Sequence, residues 1–217
     1  MNGVSLPPYA GLNLGAHVGD NPLHVQYNRQ QLPNASDIRW LNQTHSSNVI
    51  EINSQTPLQI ESPTDASISR EAHVACAVMT ADCLPVLIAA PKEKVVAAVH
   101  AGWRGLAAGI IEKTISQMNA NPEQLYVWLG PAISAKAFEV GAEVLPFFKQ
   151  QEQACFVATT QHKFMADLYA IARHRLISIG VKQVSGGEYC TYAQPELFYS
   201  YRRDGQTGRM LSCISLC

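Results

Sequence analysis

The sequence predicts a mixed α/β fold with mainly antiparallel strand pairing, and three observations carry that expectation. Residues 74–79, 85–90 and 95–99 are continuous apolar runs of strand length. Runs apolar on both faces belong to a sheet covered on both sides. Only Pro91-Lys92-Glu93-Lys94 separates the last two, a turn short enough for a hairpin. Apolar residues recur at helical spacing at Ala107, Ile111, Ile115 and Met118, and again at Leu168, Ile171, Ala172, Leu176 and Ile179.

Taken in order, residues 1–35 are rich in Gly, Pro and Asn and read as an ordered, loop-rich segment with little regular structure. Residues 38–52 hold two short apolar runs around Asn42-Gln43-Thr44-His45, as expected for strands meeting at a loop. After Gly105 a helix is predicted over about residues 106–118. Residues 126–129 form a further strand, stopped by Gly130-Pro131. The second helix ends at Gly180, a C-terminal stop signal. With no repeat, low-complexity tract or polar linker, residues 1–217 read as one domain.

Composition narrows the function classes. The chain is 47% hydrophobic and 15% charged, which is globular rather than disordered. A net charge of −1 argues against nucleic-acid or anionic-membrane binding, which needs clustered positive charge. No apolar run approaches the ~18 to 20 residues that span a bilayer. The opening Met1-Asn2-Gly3-Val4-Ser5-Leu6-Pro7-Pro8 lacks the basic and apolar regions of a signal peptide. Six cysteines without a Cys-x-x-Cys pair then point to reduced thiols and a cytoplasmic setting.

The chemistry lies where apolar runs end. Leu41-Asn42-Gln43-Thr44-His45-Ser46, Thr80-Ala81-Asp82-Cys83-Leu84-Pro85 and Val99-His100-Ala101-Gly102-Trp103-Arg104-Gly105 each bring a soft-metal ligand to a strand end. Two imidazoles and a thiolate with an open fourth position form a catalytic zinc pattern. The turn at Lys92 and Glu93 sets the hairpin register: if Ala90 faces Val95, Pro85 faces His100 and Cys83 lies diagonally beside it. Diagonal neighbours sit about 7 to 8 Å apart at the backbone, within reach of one shared ion. Alone, Cys83 reads as a small buried hydrophobe and His100 as a strand-end histidine. Their pairing across the turn, with His45 in a similar setting, favours ligands, and a metal-free Cys–His nucleophile pair is the competing reading. Copper redox chemistry fits poorly, because the seven histidines include no His-x-His pair.

Glycines that admit a close ligand, a helix start and the bidentate donors of Arg104 suggest a phosphate or carboxylate site beside the metal. A solvated Arg in a tight turn is the plain alternative. Tyr201-Arg202-Arg203-Asp204-Gly205 reads as a charged turn, with Arg202, and more remotely Arg29, as further anion contacts. Gln43 and Ser46 are candidate substrate or phosphate contacts beside His45. Asp82 and Asp65 can each orient a ligand imidazole or act as acid or base. His17 is expected to stabilise its loop by a hydrogen bond, with a place in the pocket as the alternative. His73, His162 and His174 are assigned surface or structural roles.

These segments, with Leu12-Asn13-Leu14-Gly15-Ala16-His17-Val18-Gly19-Asp20, Trp128-Leu129-Gly130-Pro131-Ala132-Ile133 and Phe198-Tyr199-Ser200-Tyr201-Arg202-Arg203, resemble the signatures of one bacterial family over essentially the whole chain. That family is labelled polyphenol oxidase or laccase-domain protein, and also peptidoglycan editing factor. The resemblance implies a four-layer α/β sandwich with mixed, largely antiparallel sheets, related to cysteine hydrolases. It implies zinc on His45, Cys83 and His100; Cys83, Asp82 and Arg104 are the candidate catalytic residues from the reading above. The implied activity is phosphorolysis of adenosine, inosine and methylthioadenosine, with adenosine deamination, in a monomer or homodimer. The rivals are an amide hydrolase editing a cell-wall precursor, through the zinc site or Cys83, and a non-enzymatic small-molecule sensor. A copper polyphenol oxidase is disfavoured. Family members also carry a strand before Gly3-Val4-Ser5, which this sequence is expected to lack.

Overall fold

The computed structural model describes residues 3–160 and 162–217. In chain order the elements are α1 (Pro22–Gln30), β1 (Ile38–Asn42), β2 (Val49–Ile52), β3 (Gln59–Pro63), β4 (Ala66–Ser69), β5 (Ala75–Thr80), β6 (Leu84–Ala90) and β7 (Val95–Ala101). There follow α2 (Trp103–Ala107), α3 (Ile110–Met118), β8 (Tyr126–Leu129), β9 (Glu139–Gly141), β10 (Phe156–Thr160) and β11 (Lys163–Ala166). The chain ends with α4 (Leu168–Ser178), β12 (Gln183–Gly186), α5 (Tyr201–Asp204) and β13 (Met210–Ile214).

All seven residues of β7 are buried, and its alternation organises the layers. Val95, Ala97, Val99 and Ala101 join a core with Leu106 of α2, Ile111 and Ile115 of α3, and Ile171 and Leu176 of α4. Val96 and Ala98 point the other way, into a core shared with Leu41, Ile60, Cys76 and Val78. The strand therefore lies inside a six-stranded sheet, order β12-β8-β6-β7-β4-β2, between helices and a four-stranded sheet, order β13-β5-β1-β3. The outer face of the smaller sheet buries Ile38, Trp40, Ala75, Ala77 and Met79 against Leu14. There the Arg29 guanidinium of α1 lies 3.6 Å over the Trp40 ring. Helices, two sheets and the α1 segment make four layers, with a small sheet β10-β11-β9 beside them.

The predicted hairpin is present in its predicted register, with Ala90 opposite Val95 and Pro85 opposite His100. Pairing is mixed: β6 is antiparallel to β7 and β8, whereas β1 runs parallel to β3 and β5, and β2 parallel to β4. The two strands of residues 38–52 do meet at the His45 loop, but they belong to different sheets, so that loop crosses between layers.

Two expectations are corrected. The loop-rich N-terminal segment contains α1, started by the Asn21 side chain accepting from Leu23 N and by Pro22 in the first turn. Only Val25 and Asn28 of that helix are buried, too few to print an apolar period. The helix predicted over residues 106–118 is two helices, broken where Gly109 adopts φ +78°, a left-handed conformation that glycine accepts most readily. Five residues remain in α2, so its dipole is short. The small sheet, β12 and β13 carry too little apolar alternation to be read. The expected lack of an N-terminal strand concerns the opening at Met1-Asn2, which lies outside the described residues. Among the described residues no helix is long and apolar enough to cross a membrane, and all six cysteines are unbonded.

A buried ion pair holds α2 in place. Arg175 of α4 donates from Nε and Nη2 to the two Glu152 oxygens at 2.6 and 3.1 Å. Its Nη1 donates to Glu112 at 3.2 Å and to the Leu106 carbonyl. Burial would push the Glu152 carboxyl up, but the Arg175 bond outweighs it and holds it below the ordinary value. Removing one partner strands the other charge. Arg175→Met is expected to destabilise the fold by about 3 to 5 kcal/mol, read as a lower urea midpoint. Adding Glu152→Leu should recover much of that loss.

Candidate active site

Three neighbouring strands bring their chemistry to one edge of the large sheet. Cys83 precedes β6, His100 is the penultimate residue of β7, and Asp65 precedes β4, with its carbonyl accepting from His100 N at 2.8 Å. His45 arrives from the loop that crosses between the sheets. The ligand atoms of His45, Cys83 and His100 all lie within 4.8 Å of one another.

Asp65 joins these parts. It is wholly buried. Its Oδ1 accepts from His45 N at 3.0 Å and bonds His100 Nδ1 at 2.8 Å. Its Oδ2 accepts from Thr44 N, Ser46 N and Ser46 Oγ at 3.1, 2.7 and 2.7 Å. One carboxylate thus folds the loop into a turn in which His45 takes φ +61°, and sets the tautomer that leaves His100 Nε2 for a metal. Cys83 Sγ lies 3.8 Å from His45 Nε2. A Cβ on Gly102 would fall 2.9 Å from Cys83 Sγ and 3.3 Å from His45 Cδ2, so glycine is what lets the thiol sit there. Two imidazoles and a thiol in this cradle fit a soft divalent ion.

The electrostatics agree. Burial opposes the Cys83 thiolate, but the charge of His100 and hydrogen bonds from His100 and His45 outweigh it and bring the thiol down to about 6. Burial likewise opposes a charged His100, yet Cys83 and Asp65 raise it to about 9. Burial would raise Asp65 too, and its bonds to His100 and Ser46 instead lower it to about 2. The cluster is therefore poised with a thiolate and a carboxylate on either side of a protonated His100, and a metal would take the place of the His100 Nε2 proton.

The ligands open into a cavity of about 560 Å³, within the usual range for a small-molecule site. Arg104, Arg202 and Arg209 line it. Arg104 lies 4.4 Å over the Trp103 ring, and Arg202 lies 5.2 Å over Phe138 while donating to Glu139 O at 2.9 Å. Arg209 donates to Thr207 O and Gly208 O at 2.9 and 3.0 Å, and burial lowers its pKa. His17 also lines the cavity, its pKa lowered first by burial and then by Arg209 and Arg29.

The predicted residues separate. His45, Cys83, His100, Asp82, Arg104, Arg202 and Gln43 all line the cavity. Both ends of the Gln43 amide are spent on Met79, Nε2 on its carbonyl at 2.8 Å and Oε1 on its amide at 2.7 Å. Two placements are corrections. The Ser46 hydroxyl is bound to Asp65, and Ser46 is not a lining residue. Arg29 is not a lining residue: its Nε donates to Leu14 O at 2.9 Å, its guanidinium stacks on Trp40 of the four-stranded sheet, and its Nη2 reaches only the back of the lining residue Met79, at 3.9 Å from Sδ. Of the two candidate carboxylates, Asp65 meets a ligand imidazole, whereas Asp82 bonds Thr191 and Arg202 N. Arg209 and Phe138 were not foreseen. Neither sits in a charged or aromatic cluster of the sequence, so only the fold reveals them.

This fold and site place the chain among known proteins. The family model described as multi-copper polyphenol oxidoreductase laccase matches residues 1–217, and the chain belongs to that family. It is 49% identical over 222 residues to the purine nucleoside phosphorylase YfiH of Escherichia coli, covering 100% of this chain and 90% of that protein. The purine nucleoside phosphorylase of Pseudomonas aeruginosa is 46% identical, covering 99% of this chain and 89% of that one. A crystal structure of a Neisseria meningitidis protein of the DUF152 family superposes with a TM-score of 0.93 at 46% identity, covering 100% of this chain and 90% of that one.

Asp65→Ala leaves five donors without their acceptor, at about 1 to 3 kcal/mol for each buried one left unpaired. We expect destabilisation of at least about 3 kcal/mol by denaturant titration. Asp65→Asn should retain more of the fold while affinity for a divalent metal, read by chelator competition, falls about 10- to 100-fold. Gly102→Ala should keep the fold and weaken metal binding at least about tenfold in the same competition.

Proposed function

We propose that the protein is a zinc-dependent purine nucleoside phosphorylase that also deaminates adenosine. One observation carries the reading: the His45–Cys83–His100 cluster shares its cavity with three arginines, so a metal site and an anion site face the same space. The names of the curated relatives support it.

In phosphorolysis, Arg104 and Arg202 would hold phosphate and orient one oxygen toward the ribose anomeric carbon. The new carbon–oxygen bond forms as the glycosidic carbon–nitrogen bond breaks, and the electron pair leaves on the purine, which takes up a proton. Adenosine and inosine yield ribose 1-phosphate, and methylthioadenosine its methylthio analogue. Trp103, backed by Arg104, offers a flat apolar surface for the base. When bound, zinc supplies Lewis-acid chemistry that activates water for attack at purine C6. Zinc suits the two-imidazole, one-thiolate donor set. A multicopper centre needs several ligand clusters, and this is the one cluster found among the described residues. The unbonded cysteines fit a cytoplasmic enzyme.

A second reading has its own support. Cys83, His100 and Asp65 stand in the order nucleophile, base and orienting carboxylate. That arrangement would suit an amide hydrolase acting on a cell-wall precursor. Activity on a muramyl amino-acid substrate that survives chelation and is lost in Cys83→Ala would favour it.

Chromatography of adenosine incubated with and without phosphate, with metal analysis of the purified protein, tests the first reading. We expect phosphate-dependent adenine, phosphate-independent inosine and one zinc per chain. Arg104→Ala should lower the phosphate-dependent rate about 10- to 100-fold, the equivalent of one lost charge-assisted contact. Absence of adenine, hypoxanthine and inosine from the products would overturn the proposal.

A further inference from the structure

We propose that Asp82 is a positioning residue that ties the metal-ligand cluster to the phosphate-binding Arg202. The inference rests on the phosphorylase reading for the role of Arg202, and on geometry for the rest.

Both Asp82 oxygens are committed. Oδ1 accepts from Thr191 Oγ1 at 2.6 Å and Oδ2 from Arg202 N at 2.6 Å. Its backbone carbonyl accepts from Ile133 N at 2.9 Å. Each of these short bonds uses one lone pair of its oxygen, and together they fix the carboxylate between Thr191 and the start of α5.

The residue stands at a junction. Asp82 takes φ +96°, a conformation in which Asp, Asn and Gly are the residues usually found, and so turns the chain directly before the ligand Cys83. Thr191 is fully buried, with its amide on Ala132 O at 3.0 Å and its carbonyl accepting from Arg203 Nη1 at 2.7 Å. Arg202 is held at its backbone by Asp82 and at its guanidinium by Glu139 O. The span from Cys83 to the Arg202 guanidinium therefore passes through one carboxylate. Residues more than a hundred positions apart in sequence are set against each other by it.

Crystal structures of Asp82→Gly and Thr191→Val, with calorimetric titration of inorganic phosphate into the zinc-loaded proteins, test this. Glycine keeps the backbone turn and removes the carboxylate; valine removes one hydroxyl at nearly constant shape and serves if the first variant fails to fold. We expect Arg202 to shift or lose order while His45, Cys83 and His100 stay together. Phosphate Kd should rise about tenfold, with zinc still near one per chain. In a double-mutant cycle, Asp82→Gly should add little to Arg202→Gln. An undisturbed Arg202 in either variant overturns the proposal, as do additive losses, or a collapse of kcat with phosphate binding intact. If the unmodified protein binds no phosphate, the phosphorylase reading falls, and the position of Arg202 in the variant structures still decides the role of Asp82.

Discussion

The Asp65 carboxylate is the contact on which the rest of the site depends. It is buried, and it is satisfied by three backbone amides, one hydroxyl and the imidazole of His100, whose positive charge it favours. A carboxylate in such a place is stable only when each oxygen is fully bonded. That requirement specifies the loop: residues 44–46 must point their N–H groups inward, and His45 must take the left-handed turn that aims its ring at Cys83. A single buried charge thereby fixes both histidines of the cluster.

The molecule divides its chemistry between two regions. The ligand half is local to the central strands, where β4, β6 and β7 end side by side and Gly102 leaves room for the thiol. The anion half is assembled from distant stretches, with Arg104 on α2, Arg202 on α5 and Arg209 just before β13. Rigid packing must align them, since a guanidinium misplaced by about an ångström loses much of its value in catalysis. Arg175 braces the end of α2, and Asp82 braces the start of α5. Both braces are buried side chains that the reaction itself need not touch.

Much of the ligand half was legible in the chain. The register linking Cys83 and His100 follows from the turn at Pro91–Lys94 and from side-chain alternation, both local properties. His45 was recognisable as a ligand type at a strand end, though not that its loop crosses between sheets. Ser46 and Arg29 were misjudged because residue type and neighbourhood say nothing of which way a side chain turns. Gln43 is similar: its amide replaces a strand-pairing contact with Met79, and polar chemistry alone does not distinguish that from a substrate contact.

The sequence by itself determined the apolar strands, the hairpin register and the two-histidine, one-cysteine donor set. These rest on short-range rules of alternation, turn length and ligand type. Only the tertiary structure decided that Asp65 rather than Asp82 holds the imidazole, that Arg209 joins Arg104 and Arg202, and that Arg29 stops behind Met79 without lining the cavity. Those outcomes depend on which strands neighbour one another across the sheets, and on the need of each buried polar group for a partner. That need is met by residues far away in the chain.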